Sequence, residues 1–181
     1  MIVEKTRIQD CLLLKPNVIK DLRGEFMESY NHEKFVQATG LEVNFVQDNL
    51  STSSKNVVRG LHAQTGDMAQ AKLVMALRGE VLDVVVDMRP DSPSYKKHIT
   101  VKLDEENRHQ LFVPRGCYHG FSVLSEEVLF YYKCDNYYSK VHESGIKYDD
   151  PVLNIDWQVK AEDMLISDKD QILPFMNDLT V

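Results

Sequence analysis

The feature that most constrains this chain is a succession of short β-prone runs separated by turn-forming residues. Residues 70–77 (QAKLVMAL) and 81–89 (VLDVVVDMR) are two such runs, and Arg-Gly-Glu at 78–80 predicts a hairpin turn between them. In the second run Asp83 and Asp87 alternate with apolar residues, the period of two that is typical of a strand. Further strand candidates cover residues 43–51, 56–64, 98–103, 109–114, 119–125 and 127–135. Many short strands at this spacing favour a sandwich or closed barrel over repeated β-α-β units.

Helical pattern is scarce. Residues 31–40 predict one short helix, because Asn31 is a favoured N-cap and Gly40 a favoured C-terminal stop. Short helical turns are expected after Trp157. At 181 residues with 43% hydrophobic content, the chain has the size of one domain with a sizeable core. The sequence therefore predicts a single all-β domain over residues 1–181, a barrel with small helical additions at its ends.

Composition excludes several classes of protein. The net charge of −7 argues against nonspecific binding of nucleic acid, which needs a basic surface. The sequence has no run of about 18 apolar residues to span a membrane, and its N-terminus carries Glu4 and Asp10, unlike a signal peptide. The three cysteines form no CxxC pair, so neither a zinc ribbon nor a disulfide framework is favoured. We expect a cytoplasmic protein with no nucleic-acid and no membrane partner.

The tetrad Arg59-Gly60-Leu61-His62 is the first candidate for chemistry. An imidazole titrates near neutral pH and can take up and return a proton, while the Arg59 guanidinium offers a fork that suits a phosphate. Plain strand alternation would place Arg59 and His62 on opposite faces. A bulge or bend at Gly60 is therefore required for both to reach one ligand. The tetrad suggests an enzyme that acts on a phosphorylated substrate.

A β-barrel with six histidines could instead be a metal-binding cupin. Such a site usually takes a His-x-His pair, a nearby acid and another histidine on a later strand. Gln64 stands where the second histidine would follow His62, and Asp67 is the only candidate acid. His62 and His119 remain as a pair of candidate ligands. The ligand count disfavours a metal site, and a metal-dependent cupin stays as an alternative.

Three further features fit either a structural or a functional role. Lys72 lies within an apolar run, so it is either a solvated strand residue or points into a barrel mouth. The tyrosine-rich run at 130–139 could fill a core edge, donate protons or stack on a nucleobase. Asp170 follows Ser167, a candidate N-cap, and could begin a helix or stabilise the imidazolium of a histidine. The residues alone leave these alternatives open.

Segments spread over nearly the whole chain resemble the dTDP-4-dehydrorhamnose 3,5-epimerase family. In the family's order they are residues 21–30 (DLRGEFMESY), 45–51 (FVQDNLS), 57–62 (VVRGLH), 69–74 (AQAKLV), 79–95 (GEVLDVVVDMRPDSPSY), 112–124 (FVPRGCYHGFSVL), 132–139 (YKCDNYYS), 142–151 (HESGIKYDDP) and 155–157 (IDW). The resemblance implies a cupin-type jelly-roll β-barrel that uses no metal and no other cofactor. The jelly-roll core would cover about residues 40–140, with the N-terminal strands and the C-terminal helical segment packed on it.

The resemblance also implies catalytic roles. His62 would be the base that removes protons beside the 4-keto group of a dTDP-sugar, with Asp170 as its acidic partner. Tyr132 would reprotonate from the opposite face, and Lys72 would stabilise the enolate oxygen. The implied reaction inverts C3 and C5 of dTDP-4-dehydro-6-deoxy-D-glucose to give dTDP-4-dehydro-L-rhamnose, on the way to dTDP-L-rhamnose.

Binding roles follow from the same resemblance. Arg23, Arg59 and Lys169 would surround the nucleotide diphosphate, and Tyr138 would stack on the thymine. The polar residues that would hold the nucleotide and the sugar are Glu28, Gln47, Asn49, His119 and Glu143. In the family, the segment that carries Arg23 and Glu28 serves the site of the partner subunit, so the resemblance implies a homodimer.

The chain departs from the family pattern beside the candidate base. Ala63 follows His62 where the family usually has an aromatic residue, residues 65–68 replace a proline-containing stretch, and Met27 stands where an aromatic is frequent. These changes leave the exact nucleotide sugar and the number of inverted centres open. The alternatives are a sister epimerase that inverts one centre or uses another nucleotide 4-keto sugar, a metal-dependent cupin enzyme, and a noncatalytic binder of sugar nucleotides.

Overall fold

The computed structural model describes residues 1–179 and consists mainly of short strands. The strands are β1 (Ile2–Lys5), β2 (Leu12–Lys15), β3 (Ile19–Asp21), β4 (Gly24–Phe26), β5 (Gln47–Ser54), β6 (Val58–Gln64), β7 (Lys72–Arg78), β8 (Glu80–Asp87), β9 (His98–Asp104), β10 (Gln110–Val113), β11 (Cys117–Val123), β12 (Glu127–Cys134) and β13 (Glu143–Gly145). The helices are α1 (His32–Thr39) and α2 (Asp168–Gln171), with 3₁₀ turns at Gly66–Met68, Lys140–His142, Ala161–Asp163 and Met176–Asp178. The all-β prediction with short helices is confirmed.

Two antiparallel sheets form the body of the molecule. One has six strands in the order β1-β2-β10-β7-β12-β5, and the other has five in the order β13-β6-β11-β8-β9. Val74 and Phe130 of the first sheet share a buried cluster with Val85 and Phe121 of the second. The core therefore lies between the sheets, as it does in a sandwich. Strands β3 and β4 pair only with each other in the described part of the chain.

The predicted hairpin between the runs at 70–77 and 81–89 is wrong. Strand β7 pairs with β10 and β12, whereas β8 pairs with β11 and β9, so the turn at Gly79 carries the chain from one sheet to the other. Gly79 has a φ of 78°, and a Cβ there would stand 2.1 Å from the Glu127 carbonyl oxygen. A tight turn marks a reversal of direction, but the burial of both strands decides which neighbours they pair with.

Strand β8 is buried on both of its faces. Val85 packs in the core between the sheets, while Val84 packs in a second cluster with Trp157 and Met176 from the C-terminal segment. Asp83 and Asp87 are both 0% exposed. The alternation along this run therefore separates two buried faces rather than a buried face from a solvated one.

The predicted helix at 31–40 is confirmed as α1. The Asn31 side chain accepts a hydrogen bond from the Lys34 N–H, and Gly40 ends the helix in the left-handed region at φ 73°. Phe35 is the buried residue of this helix and packs against Phe112 of β10. No helix within residues 1–179 combines the length and the apolar character that crossing a membrane requires.

Candidate active site

Two adjoining cavities contain most of the predicted site residues. The larger, of about 370 Å³, is lined by Gln47, Asn49, His62, Ala63, Gln64, Gln70, Lys72, Tyr132, Cys134, Tyr138 and Glu143. The smaller, of about 130 Å³, shares His62, Lys72 and Tyr132 with it and is also lined by Arg59 and His119. Side chains from both sheets therefore meet around one space. A ligand there would be enclosed by groups on both of its sides.

A β-bulge in β6 places Arg59 and His62 at the same cavity. His62 pairs with His119 of β11, and Arg59 pairs with Phe121, so two residues of β6 lie opposite the single residue Gly120. Gly60 has a φ of 120°, and a Cβ there would stand 2.6 Å from the Gly120 Cα. The bulge predicted at Gly60 is confirmed, because glycine alone fits this conformation and this close approach.

His62 is paired with Asp170 at the wall of the cavity. The His62 Nε2 and an Asp170 carboxylate oxygen are 2.7 Å apart, and the other oxygen accepts the Gly60 N–H at 3.2 Å. Ser167 caps α2 by accepting the Asp170 N–H, which fixes the aspartate on the first turn. Burial alone would raise the pKa of Asp170, but the hydrogen bonds from His62 and Gly60 outweigh it and lower that pKa. The carboxylate therefore stays ionised and orients the imidazole.

Tyr132 and Lys72 face His62 from the opposite sheet. Tyr132 lies on β12 and Lys72 on β7, which are neighbouring strands of the six-stranded sheet, and both line the two cavities. Burial raises the pKa of Tyr132, so its phenol keeps its proton at neutral pH. Burial also lowers the pKa of Lys72. The arrangement places a base on one side of the space and a proton donor on the other.

A second histidine–aspartate pair lies deeper, and its acid is not among the site residues predicted from the sequence. The His119 Nε2 is 2.8 Å from Asp83 Oδ2, and the two side chains are 8% and 0% exposed. Burial raises the pKa of Asp83 despite the nearby charges of His119 and Lys72. The signal that could have revealed Asp83 is a carboxylate within a run that is apolar on both faces.

The predicted nucleotide-binding residues form a chain of contacts at the rim. The Tyr138 hydroxyl donates to Glu143 at 2.9 Å, and Glu143 forms an ion pair with Lys169. Burial would raise the pKa of Glu143, but the bonds from Lys169 and Tyr138 outweigh it and lower that pKa. On β5, the Gln47 amide donates to Asn49 Oδ1 at 3.0 Å. Seven predicted residues beyond the catalytic four thus lie at the cavities or in contact with their lining: Gln47, Asn49, Arg59, His119, Tyr138, Glu143 and Lys169.

Arg23 and Glu28 do not join this group within the chain. Arg23 lies in the turn between β3 and β4, where its exposed guanidinium pairs with Asp21. Glu28 contacts Lys34 and Asn31 beside α1. Neither residue lines the two cavities, so their role at the site of a partner subunit stays a prediction.

The two cavity histidines each have one ring nitrogen bonded to a carboxylate, His62 to Asp170 and His119 to Asp83. Within residues 1–179 no group of three or more His, Cys, Asp or Glu side chains has the arrangement of a metal site. Asp67, the acid considered beside His62 in the sequence, lies on a 3₁₀ turn and does not line either cavity. Each histidine is thus held by its own carboxylate, an arrangement suited to proton transfer.

Two packed antiparallel sheets that enclose an imidazole, an opposing phenol and a half-buried lysine define a cupin-like protein with acid–base groups in its cavity. The family model for dTDP-4-dehydrorhamnose 3,5-epimerase matches residues 5–178, and the chain belongs to this family, as predicted. The curated dTDP-4-dehydrorhamnose 3,5-epimerase of Shigella flexneri is 51% identical over 170 residues, which are 94% of this chain and 93% of that protein.

Solved structures agree over the same length. A dTDP-4-dehydrorhamnose 3,5-epimerase from Elizabethkingia anophelis superposes with a TM-score of 0.94 at 49% identity, covering 97% of this chain and 96% of that one. A dTDP-6-deoxy-D-glucose-3,5-epimerase from Legionella pneumophila, in complex with dTDP-4-keto-L-rhamnose, has a TM-score of 0.94 at 40% identity and covers 98% and 94% of the two chains. The predicted cupin-type jelly roll is thereby confirmed.

Proposed function

We propose that this protein inverts C3 and C5 of dTDP-4-dehydro-6-deoxy-D-glucose and releases dTDP-4-dehydro-L-rhamnose, with the whole chain acting as one epimerase domain. The observation that carries the proposal is that His62 and Tyr132 line the same cavity from opposite sheets. Inversion of a carbon needs a base on one face and a donor on the other, and these two residues supply them. The family membership and the sugar nucleotide in the Legionella structure support the substrate class.

The base is the His62–Asp170 pair. Because Asp170 is ionised and accepts from Nε2–H, the other ring nitrogen of His62 carries the lone pair. It removes the proton from the carbon beside the ketone, and the electron pair of that C–H bond moves into an enolate. Asp170 stabilises the imidazolium that results. The ketone acidifies the carbons on both sides, so the same base serves C3 and C5 in turn.

The enolate is stabilised and reprotonated from the six-stranded sheet. Lys72 faces the cavity, and its amino group donates a hydrogen bond to the developing enolate oxygen, an interaction that is strong where water is excluded. The Tyr132 phenol gives its proton to the carbon on the face away from His62. Solvent then returns a proton to Tyr132 and removes one from His62, which restores both groups. No step uses a cofactor.

The rim holds the nucleotide. Tyr138 stacks on the thymine, while Arg59 and Lys169 bind the diphosphate. The polar residues that hold the nucleotide and the sugar are Gln47, Asn49, His119 and Glu143. Arg23 and Glu28 are exposed on a segment apart from the cavities and reach the site of a partner subunit in a cytoplasmic homodimer.

The test is to follow dTDP-4-dehydro-6-deoxy-D-glucose in deuterated water and to locate the label in the product. Deuterium at C3 and C5 with inversion at both supports the proposal. Label and inversion at one carbon alone would identify a one-centre epimerase. This alternative is the specific one, because Ala63 lines the cavity where the family usually has an aromatic residue. Absence of exchange at both carbons would overturn the proposal, and activity that is lost on chelation and restored by an added metal would favour a metal-dependent cupin.

A variant pair tests the donor. Tyr132→Phe should keep deuterium exchange while inversion falls by about 10²-fold, the size of a general-acid contribution. Tyr131→Phe is the matched control, because the neighbouring phenol bonds Asp48 on the outer face of the same strand. Full inversion by Tyr132→Phe would place the donor elsewhere.

A further inference from the structure

The loop that carries Tyr138 is held by glutamine side chains from both sheets. This loop, residues 135–142, connects β12 to β13 and borders the larger cavity. The Tyr138 N–H donates to Gln47 Oε1 at 3.2 Å, and the next N–H, that of Ser139, donates to Gln64 Oε1 at 2.8 Å. Gln47 lies on β5 and Gln64 at the end of β6. Two consecutive backbone groups are therefore fixed from opposite walls of the cavity.

A third glutamine anchors the beginning of the loop. The Gln70 amide donates to the Asn136 carbonyl at 2.7 Å, and the Asn136 side chain donates to the Asp67 carbonyl at 3.0 Å. At the other end of the loop, the Thr65 N–H and hydroxyl both reach the His142 carbonyl, at 2.9 and 3.1 Å. The segment from Gln64 to Gln70, which departs from the family pattern at 65–68, thus fixes the loop at several points.

The Tyr138 ring depends on these bonds for its position. The residue is 55% exposed, whereas Gln64 and Gln70 are 5% and 7% exposed. A ring with so little packing is placed by its backbone and by the single bond from its hydroxyl to Glu143. Fixing the backbone before a ligand arrives removes part of the ordering cost from the binding step. Buried side chains that bond to the loop therefore affect the affinity of a ligand that contacts the ring.

We propose that Gln64 and Gln70 are positioning residues that preset Tyr138 for the nucleoside of the substrate, without contacting the nucleoside themselves. The inference rests on the proposed function, because it takes a thymidine nucleotide as the ligand of Tyr138. Both glutamines act through the loop backbone. Loss of either amide releases the loop and weakens nucleotide binding, while the acid–base groups around His62 keep their own contacts.

The experiment is a double-mutant cycle read by the dissociation constant for dTDP, measured by calorimetry without turnover. Gln64→Met and Gln70→Met are near-isosteric and remove the amide. Each should raise the dissociation constant about three- to tenfold, the effect of one hydrogen bond. In a Tyr138→Ala background the same substitutions should change it less than twofold, because the ring that they position is gone. Gln37→Met, an exposed change on α1, is the matched control and should have no effect.

Additive effects in the Tyr138→Ala background would overturn the proposal, since they would mean that the glutamines contact the nucleotide directly or support the whole site. The proposal also fails if Tyr138→Ala leaves the dTDP dissociation constant unchanged. If Gln64→Met does not fold, the cycle with Gln70→Met decides, because that residue anchors the other part of the loop. Failure of the proposed function has a separate signature, the loss of deuterium exchange in the unaltered protein.

Discussion

Two histidine–aspartate pairs stand side by side in this molecule, and only their surroundings differ. His62 and His119 are directly opposite each other on β6 and β11, and each has its Nε2 within 2.8 Å of a carboxylate oxygen. The His62 side chain is 30% exposed and the His119 side chain 8%. Asp170 also accepts a hydrogen bond from the Gly60 N–H, whereas Asp83 Oδ1 has no hydrogen-bond partner in the described part of the chain.

We propose that burial divides one motif into two roles. Hydrogen bonds lower the pKa of Asp170, so its charge is available when His62 takes up a proton. Burial raises the pKa of Asp83, so its charge is costly and less available to an imidazolium. We therefore propose that the outer pair abstracts the proton and that the inner pair positions the substrate. Substitutions at the two pairs and at the bulge between them test this division.

Removal of the outer imidazole should have the largest effect. His62→Ala should lower kcat by about 10³-fold or more, at the upper part of the range for general bases, and should abolish deuterium exchange at C3 and C5. In the proposed division of roles, no side chain other than His62 removes the proton from the substrate carbon. His119→Ala should raise KM more than it lowers kcat, because it removes a contact rather than the base. The measurement is steady-state kinetics alongside exchange by proton NMR.

His32→Ala is the control for the loss of a histidine, since that ring is half exposed on α1. Equal losses of deuterium exchange in His62→Ala and His119→Ala would contradict the proposed difference in role between the two pairs. Exchange that persists in His62→Ala and vanishes in His119→Ala would reverse it.

Neutralising the outer acid should come second. Asp170→Asn keeps the shape of the side chain but removes the charge that stabilises the imidazolium, so kcat should fall by about 10²-fold or more. Circular dichroism and the dTDP dissociation constant should change little. Asp168→Asn, on the same short helix and exposed, is the matched control. A fall of less than threefold in kcat would show that the lowered pKa of Asp170 has no part in the chemistry.

The sequence predicted the parts of this site that depend on local pattern. The bulge at Gly60 followed from the need to bring Arg59 and His62 to one side, and the register between β6 and β11 shows it. Helix α1 followed from its caps. These features depend on residues a few positions apart, so a single sequence contains the information.

Contacts between distant segments could not be predicted in the same way. The local sequence around Gly79 predicts a hairpin, but the two flanking strands belong to different sheets. Strand pairing depends on how the whole chain buries its apolar residues, and a short segment does not contain that information. The pairing of Asp83 with His119 spans 36 residues and depends on the register of β8 with β11. Only the family resemblance linked His62 to Asp170 before the structure did, and the functional roles of the site residues stay predictions.

The bulge at Gly60 lies between the two pairs, beside Asp170 and His119. Gly60→Ala should lower the free energy of unfolding by about 2 kcal/mol or more, through strain at positive φ and through overpacking. A Cβ at this position would stand 2.6 Å from the Gly120 Cα and 2.9 Å from the His119 carbonyl oxygen. Urea denaturation measures the change.

Gly24→Ala is a matched control, because Gly24 has a φ of 130° but nothing within 4 Å of its Cβ position. Equal losses in the two variants would mean that strain alone matters and that the contact of Gly60 with β11 contributes nothing.

The fourth and smallest effect is the pH dependence of the inner pair. Because burial raises the pKa of Asp83 above the ordinary 3.8, its carboxyl contributes stability below that value and loses it as the pH rises through the folded-state pKa. The wild type should therefore lose stability relative to Asp83→Asn as the pH rises above about 4, with a slope of at most about 1.4 kcal/mol per pH unit, the limit for one proton. Urea denaturation of both proteins across this pH range measures the difference.

Asp87 is the comparison for this titration, since it is also 0% exposed and lies on the same strand, but its pKa shifts in the opposite direction. Burial would raise the pKa of Asp87, but hydrogen bonds from Arg89, Ser92 and Ser94 outweigh it and lower that pKa to about 2. Asp87→Asn should therefore be less stable than the wild type at neutral pH by roughly 2 kcal/mol, and the difference should close as the pH falls from about 4 towards 2. Opposite signs for the two variants would show that hydrogen-bond donors keep a carboxylate of this strand ionised where burial alone would protonate it. If both variants titrated as Asp87→Asn is expected to, Asp83 would be ionised like Asp170, and the inner pair would be as able as the outer one to stabilise an imidazolium.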